Sequence, residues 1–357
     1  MDNNLGKEEK RLMAVDAIKG LAIIMIILTH VSTIPLDLKL RIAYPYTILP
    51  AVPIFLICSG FLFLRSAQDK RCKNNQKTGG GTIDNIIFSW YDKKNFLHRI
   101  NRLLYAYLVQ WIVLLSALFL IKGKVLAAPD ALIMFLQGGR GPGAYYVLIM
   151  FQFLVIFPFL AYAFDRSPFG TSIGCFFFML LWELVVSECK ISGDVYHILI
   201  FRVIPHIVMG MLLYRYYKMF GKTAIPVVCM LIGAIYLAAI YYFGYKQHLF
   251  ARDATQGPIA ALFSLGVFWY TLKLEPFWEK HKKMLSPLCF FGKASWHIFL
   301  VQMVYYYFAR MIKFEQSLHN LGIATIIDLL ITLTVGCLFY SIENFLRNKF
   351  TPEAKRN

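Results

Sequence analysis

Ten stretches of the chain are apolar over about 20 residues each, the length that an α-helix needs to cross the hydrocarbon core of a bilayer. They span about 13–34, 46–65, 99–121, 142–164, 171–188, 197–214, 223–244, 255–273, 287–311 and 321–346. Hydrophobic residues make up 58% of the chain and charged residues only 16%, whereas soluble domains carry about 25% charged residues. A water-soluble fold is therefore excluded. The sequence predicts an all-α, polytopic membrane protein with about ten transmembrane helices.

The lysines and arginines outside these stretches predict how the chain crosses the membrane. If the N-terminus is cytoplasmic, the cytoplasmic segments hold 22 of these basic residues, with Arg65 and Lys273 at the ends of two stretches counted among them, and the opposite segments hold 9. Basic residues accumulate on the cytoplasmic side of membrane proteins, so both termini are predicted to be cytoplasmic. The basic head before the first stretch is also typical of a signal peptide. Because no small-residue cleavage site follows it, we expect a retained first span.

The sequence predicts one membrane-embedded domain over 1–357, with no attached soluble domain. Its longest polar interruption, about 65–98, is rich in Lys, Arg and Gly and is predicted to be a flexible cytoplasmic loop. The net charge is +17, but basic residues clustered between apolar stretches indicate a membrane protein rather than a nucleic-acid binder. The seven cysteines include no CxxC pair, so neither a disulfide framework nor a metal site is predicted.

The first span carries ionisable residues, which are costly in a bilayer and tend to face a cavity or a partner. Lys19 and His30 are eleven residues apart, so a helix places them on one face, about 16 Å apart along its axis. Asp16 lies one turn before Lys19 and could pair with it. Taken alone, Lys19 is also explained by snorkelling to the headgroups, and His30 by an interior hydrogen bond. Because imidazole can accept a proton at neutral pH, His30 is the best candidate for a general base.

Other polar residues in or near the spans each admit two interpretations. Arg99 and Arg102, one turn apart at the start of the third span, can bind phosphate groups or anchor the span at the interface. Tyr145 and Tyr146 open the fourth span and can belong to an aromatic belt or stack on a sugar. Arg202 is either a buried polar residue or an outer interface anchor. Three further ionisable residues have no partner that the sequence assigns: Glu183, His297 and Asp328.

These residues lie in motifs that resemble the family-three membrane acyltransferases. Lys19 and His30, separated by ten residues, are similar to the hallmark of that family, which is Arg or Lys, ten residues and then His. The resemblance continues over nearly the whole chain, at Ser59-Gly60-Phe61, at Arg99 and Arg102, from Tyr145 to Gln152, and more weakly at 202–210 and 291–300.

The resemblance implies an enzyme that moves an acyl group, usually acetyl, from cytoplasmic acyl-CoA to a hydroxyl of an extracytoplasmic or lipid-linked carbohydrate. Its implied catalytic residues are His30, Lys19 and Asp16. Its implied donor-binding residues are Lys19, Arg99, Arg102 and Ser59. Its implied acceptor-binding residues are Tyr145, Tyr146, Arg202 and Gln152. The expected partners are acyl-CoA, the carbohydrate and membrane lipids, without nucleic acid or metal, and the expected location is the plasma or inner membrane.

Two other classes of protein fit part of the sequence. A transporter or exporter of polysaccharide or lipid-linked sugar would also have about ten spans with intramembrane charges. Inverted-repeat carriers often have Gly- or Pro-broken spans at matching positions of two halves, and this chain has no such pair. A membrane scaffold without chemistry would leave Lys19 and His30 unexplained. For an acyltransferase, the sequence leaves open whether the transfer is direct or passes through an acyl-histidine.

Overall fold

The structure, a computed structural model, describes residues 12–31, 36–78, 93–123, 125–221, 223–247, 254–314 and 320–350. These residues form α-helices and two short 3₁₀ turns, Ile200–Val203 and Ala254–Gln256, with no β-strand among them. The helices are α1 (Met13–His30), α2 (Leu36–Arg41), α3 (Tyr44–Thr47), α4 (Ala51–Thr78), α5 (Lys93–Lys122), α6 (Ala128–Leu136), α7 (Tyr145–Arg166), α8 (Pro168–Glu188), α9 (Gly193–Ile198), α10 (Ile204–Phe220), α11 (Ile225–Tyr241), α12 (Pro258–Lys273), α13 (Glu275–Lys280), α14 (Lys282–Met311) and α15 (Leu321–Phe350).

Seven of the described helices are long and apolar enough to cross a membrane: α1, α4, α5, α7, α8, α14 and α15. They correspond to seven of the ten predicted spans. The other three predicted spans coincide with α10, α11 and α12, which have 16 or 17 residues and are shorter than the usual span of about 20. The all-helical membrane fold is confirmed, while the count of ten and the side of the termini stay predictions.

The first span packs along α14, and the two helices run parallel. Gly292 of α14 lies beside Asp16 of α1, and Tyr306 lies beside Ile27 further along both helices. The first of these contacts requires glycine, because a Cβ at Gly292 would lie 1.8 Å from the Asp16 carbonyl oxygen. Small residues allow such close approach of helix backbones in membranes. α14 therefore fixes the depth of the first span in the bundle.

The second long span, α4, lies between α1 and α10 and packs closely against α10. A Cβ at Gly60 would lie 1.9 Å from the Ile207 carbonyl oxygen, and one at Gly210 would lie 2.0 Å from that of Ile57. The residue numbers run in opposite directions across this contact, so α4 and α10 are antiparallel. Helices α1, α4, α10 and α14 together form the centre of the bundle.

Helices α8 and α15 lie at the periphery of the bundle. Phe177, Leu181 and Leu184 of α8 and Leu330 and Leu338 of α15 are all exposed. A water-soluble protein rarely exposes apolar surface on this scale. In a membrane protein, lipid chains cover such side chains, which agrees with the apolar composition of these helices.

The segment predicted to be a flexible loop, 65–98, is helical at both ends. α4 continues to Thr78, and α5 begins at Lys93. Residues 79–92 lie outside the described residues, so the flexibility predicted there stays a prediction.

Two predicted spans also have different boundaries. α1 ends at His30 instead of residue 34, five residues before Pro35 in the sequence. The predicted span 197–214 is interrupted, since α9 and a 3₁₀ turn precede α10, which continues to Phe220. Pro205 lacks a backbone N–H and is tolerated in the first turn of a helix but not in its interior. The helix therefore begins at Ile204.

Candidate active site

A cavity of about 680 Å³ opens between α1, α4, α5, α7, α14 and α15. At its mouth lie the start of α1, the start of α5 and the last turns of α15, represented by Leu12, His98 and Arg347. This is the end of the bundle that the distribution of basic residues predicts to be cytoplasmic. Further along α1 the wall becomes apolar, with Ile26, Phe55, Met150 and Phe299. The cavity thus has a polar mouth and an apolar inner end.

Six of the predicted site residues line this cavity: Asp16, Lys19, Ser59, Arg99, Arg102 and Tyr146. The two on α1 are one turn apart, and so are the two arginines on α5, because residues three positions apart share a helix face. The Ser59 hydroxyl donates to the Phe55 carbonyl oxygen at 2.8 Å within α4. The packing of α1, α4, α5 and α7 therefore brings together residues that are far apart in the sequence.

The cavity wall is strongly basic. Its cationic side chains are Lys19, Arg65, Arg99, Arg102, Lys293 and Arg347, and its acidic side chains are Asp16 and Glu343. Six cations therefore face two carboxylates, and His98 and His297 also line the wall. Charges of one sign in a cleft with low-dielectric walls concentrate the electric field there. Such a cavity suits a ligand with several negative charges, such as a group of phosphates.

His30 lies just beyond this cavity and is not one of its lining residues. It is the last residue of α1, and Ile26, one turn earlier, lines the inner end of the cavity. The His30 ring stands edge-on to the Tyr306 ring, with 5.9 Å between centroids. Because α1 is continuous, His30 and Lys19 lie about 16 Å apart along the axis, as predicted. The cavity and His30 are therefore connected by one turn of helix.

The end of α1 is held by polar groups of α14, one of which also contacts α15. The last four carbonyl groups of a helix have no partner within the helix. Here the Ile27 carbonyl oxygen accepts from the Tyr306 hydroxyl at 3.0 Å, and that of His30 accepts from Arg310 at 3.2 Å. The Tyr306 hydroxyl also lies 3.4 Å from the buried carboxylate of Asp328 on α15. These contacts fix the backbone that carries His30, and they assign a partner to Asp328.

Tyr145 and Arg202 lie together outside the cavity lining. The Arg202 guanidinium carbon lies 5.0 Å from the centre of the Tyr145 ring and 5.6 Å from that of Tyr196. Tyr145 also contacts the His197 ring, with 5.7 Å between centroids. The Tyr196 hydroxyl donates to Glu183 at 2.6 Å, which assigns a partner to that carboxylate. Arg202 is thus buried among aromatic rings instead of reaching outward as an interface anchor.

Gln152 is engaged by the protein backbone. Its amide nitrogen donates to the Ile198 carbonyl oxygen at 2.7 Å, and its amide oxygen accepts from the Ile200 N–H at 3.0 Å. These two contacts bridge the break between α9 and the 3₁₀ turn before α10. The structure therefore gives Gln152 a structural role, and its contact with an acceptor stays a prediction.

Three polar side chains in contact with one another, which the sequence pattern does not predict as a group, lie on the cavity wall. His297 Nε2 of α14 lies 2.5 Å from a carboxylate oxygen of Glu343 on α15, and Arg347 donates to the other oxygen. The spacing of Glu343 and Arg347 by four residues is visible in the sequence. Their contact with His297 depends on how α14 and α15 pack, so no spacing within one helix could have found it.

In the described part of the chain, no group of three or more His, Cys, Asp or Glu side chains could hold a metal ion. The sequence matches the family model of the acyltransferase domain of acyltransferase family 3 over residues 13–342. Comparisons with curated proteins and with solved structures give no significant match. The family match covers more than nine tenths of the chain, from the start of α1 to the last turns of α15. The chain therefore belongs to acyltransferase family 3 and is a membrane acyltransferase.

Proposed function

We propose that this protein is an O-acyltransferase that moves an acyl group, expected to be acetyl, from cytoplasmic acyl-CoA to a hydroxyl of an extracytoplasmic or lipid-linked carbohydrate. The observation that carries the proposal is the continuity of α1. At one end this helix contributes Asp16 and Lys19 to a basic cavity, and at the other end it presents His30. One helix thereby links a binding site for an anionic donor to a candidate general base.

The donor side is supported by the charges of the cavity. CoA carries several phosphate charges and does not cross lipid, so its headgroup stays at the basic mouth. Arg99 and Arg102 offer planar guanidinium groups, which bind phosphate bidentately. Because Lys19 lies about 16 Å from His30 along α1, it is placed to bind the donor and too far away to polarise the reacting carbonyl. Asp16 and Ser59 complete this wall.

The chemistry at His30 needs one proton acceptor. In direct transfer, His30 removes the proton of the acceptor hydroxyl, and the oxygen attacks the thioester carbonyl carbon. The C–S bond then breaks, and the CoA thiolate leaves and takes up a proton. To meet His30, the acyl end of the donor extends one helical turn beyond the inner end of the cavity. An acyl-histidine intermediate would use the same residue as the nucleophile.

For the acceptor we propose the aromatic group around Arg202, on the opposite side of the bundle from the cavity mouth. Tyr145 and Tyr196 lie against this cation, and the His197 ring contacts the Tyr145 ring. Rings with polar edges beside a cation suit a polyhydroxylated ligand, because one face is apolar and the edges form hydrogen bonds. Gln152 would support this site by holding the break before α10, and Tyr146 contributes at the inner end of the cavity.

The test uses purified full-length protein in liposomes, with radiolabelled acetyl-CoA and candidate glycans. We expect the label to move to a glycan in the wild-type protein. Label on the protein without acceptor would indicate an acyl-histidine intermediate. If glycan crossed the liposome membrane while no acceptor became acylated, the transporter would replace the proposed function.

A further inference from the structure

The ring of His297 on α14 is held by side chains of α15. Its Nε2 lies 2.5 Å from Glu343 Oε2, and the ring stands edge-on to Phe339 and Tyr340, with 4.8 and 5.3 Å between centroids. Glu343 also forms an ion pair with Arg347. The side chains of His297 and Glu343 are 9% and 5% exposed. Packing and a charge-assisted contact therefore fix the orientation of the ring.

The contact with Glu343 determines which nitrogen of His297 carries the proton. A carboxylate paired with an arginine only accepts hydrogen bonds, so Nε2 is the nitrogen that donates. Nδ1 is then the acceptor nitrogen of the neutral ring. Among the described residues, Nδ1 is buried and has no hydrogen-bond partner, although buried polar atoms nearly always have one. A ligand that brings a donor N–H to this part of the cavity wall would satisfy it.

His297 lies one helical turn deeper than two cations of the cavity. Lys293 precedes it by four residues on α14, and Arg347 follows Glu343 by four residues on α15, about 6 Å along the axis in each case. α14 and α15 run in opposite directions, so both cations lie on the side of the cavity mouth. If the phosphates of a ligand contact these cations, the part of the ligand next to its phosphates lies at His297.

We propose that His297 Nδ1 accepts a hydrogen bond from an amide N–H of the pantetheine arm of acyl-CoA. Glu343 and Arg347 position the ring for this contact. The inference rests on the proposed function, because it takes acyl-CoA as the donor. In this arrangement the uncharged amides of the arm bind to a neutral acceptor, and the phosphates bind to the lysines and arginines nearer the mouth.

The substitution His297→Gln tests the roles of the two ring nitrogens separately. Its amide can still donate to Glu343 from the position of Nε2, but it offers no acceptor in the position of Nδ1. Binding is measured by calorimetry on purified full-length protein with two probes, CoA and adenosine 3′,5′-bisphosphate, which lacks the phosphopantetheine arm. We expect the Kd of CoA to rise about two- to tenfold, while that of the bisphosphate stays unchanged. His297→Asn, whose amide oxygen lies near the position of Nδ1, should retain more of the CoA affinity.

Three results with His297→Gln would overturn the inference. Equal weakening of both probes would place the contact at the phosphates, and unchanged CoA affinity would remove His297 from the donor site. A fall in kcat with unchanged KM for acyl-CoA would make the residue a participant in proton transfer. Failure of the proposed function gives a different result from failure of this inference alone. The wild-type protein would then bind neither probe, and both proposals would be overturned. His281→Gln is the matched control, since that ring contacts Phe277 outside the cavity lining and should change neither affinity.

Discussion

His30 and Lys19 divide the proposed reaction between two positions of one helix. The proton acceptor lies where α1 ends, and the cation lies three turns earlier in the basic cavity. If this division is right, a change at His30 should affect the rate without affecting donor binding, and changes at the cavity cations should do the reverse. The two kinds of residue can therefore be tested independently.

His30→Gln keeps much of the side-chain volume and can form a hydrogen bond, but it cannot accept a proton at neutral pH. We expect acyl transfer to fall by about 10²- to 10⁴-fold, the usual contribution of a general base. Donor affinity and thermal stability should stay close to the wild-type values, because the cavity lining ends one turn earlier, at Ile26. Turnover by the purified variant measures the effect. If most of the turnover remained, His30 would be a structural residue and the mechanism would fail.

Arg99→Gln and Arg102→Gln should weaken acyl-CoA binding more than acceptor binding. A charge-assisted contact contributes about 1.5–3 kcal/mol, so the donor Kd should rise about ten- to hundredfold. Lysine at either position should rescue only part of the affinity, because a point charge does not reproduce the planar guanidinium fork.

Donor affinity of each arginine variant is measured by calorimetry, with Arg166→Gln as the control. Arg166 lies at the end of α7, outside the cavity lining, and packs on Tyr162. Unchanged donor affinity in both arginine variants would reduce the pair to interface anchors.

The end of α1 depends on α14 for its position, which makes Tyr306 a positioning residue. Tyr306→Phe removes the hydroxyl that contacts Ile27 and Asp328 but keeps the ring beside His30. Because small displacements of reacting groups cost up to about 10²-fold in rate, we expect kcat to fall about tenfold while KM for acyl-CoA is unchanged. Steady-state kinetics separate the two parameters. Tyr307→Phe, on a neighbouring face of α14, should leave both unchanged, and an equal effect of the two variants would argue against a specific role.

The parallel packing of α1 and α14 should depend on Gly292. A methyl group there meets the Asp16 carbonyl oxygen at 1.8 Å, so Gly292→Ala should force the helices apart and cost about 1–3 kcal/mol of stability. Gly174 on α8 has no atom within 4 Å of an added Cβ, and alanine there should be neutral or slightly stabilising. Thermal unfolding of the two variants in detergent checks this contrast. Similar melting temperatures would contradict the tight contact.

Within one helix, the sequence predicts the site well. Lys19 and His30 share a face, as do Arg99 and Arg102, because the period of the helix fixes the direction of each side chain. The structure then brings four of the predicted residues on α1 and α5 to the same cavity, His30 excepted. The spacing of residues within a span therefore indicates which side chains can act together.

Between helices, the sequence predicts much less. The contact of His297 with Glu343, and that of Tyr306 with Asp328, depend on the depth at which α14 and α15 pack. That depth is set by close contacts such as the one at Gly292, which no hydropathy pattern reports. The break before α10 could be expected from Pro205, but its link to α7 through a glutamine amide could not.

For the molecule as a whole, the proposed reaction requires that the cavity mouth face the cytoplasm. The donor is soluble and anionic and must enter from that side, whereas the aromatic group around Arg202 lies towards the other. Reversed insertion would put the basic mouth where acyl-CoA is absent. The topology predicted from 22 cytoplasmic and 9 opposite basic residues is therefore a condition of the mechanism.

Two native cysteines allow this topology to be tested in intact cells. Cys189 is free and exposed in the turn after α8, which is predicted to face outward. Cys72 lies in the last part of α4, which is predicted to be cytoplasmic. An impermeant maleimide should label the wild-type protein before permeabilisation, and Cys189→Ser should abolish that labelling. Permeabilised cells should give an additional signal that Cys72→Ser removes, and tags at both termini should be accessible only then. Labelling of both termini in intact cells would reverse the orientation and place the basic cavity on the side opposite to its donor.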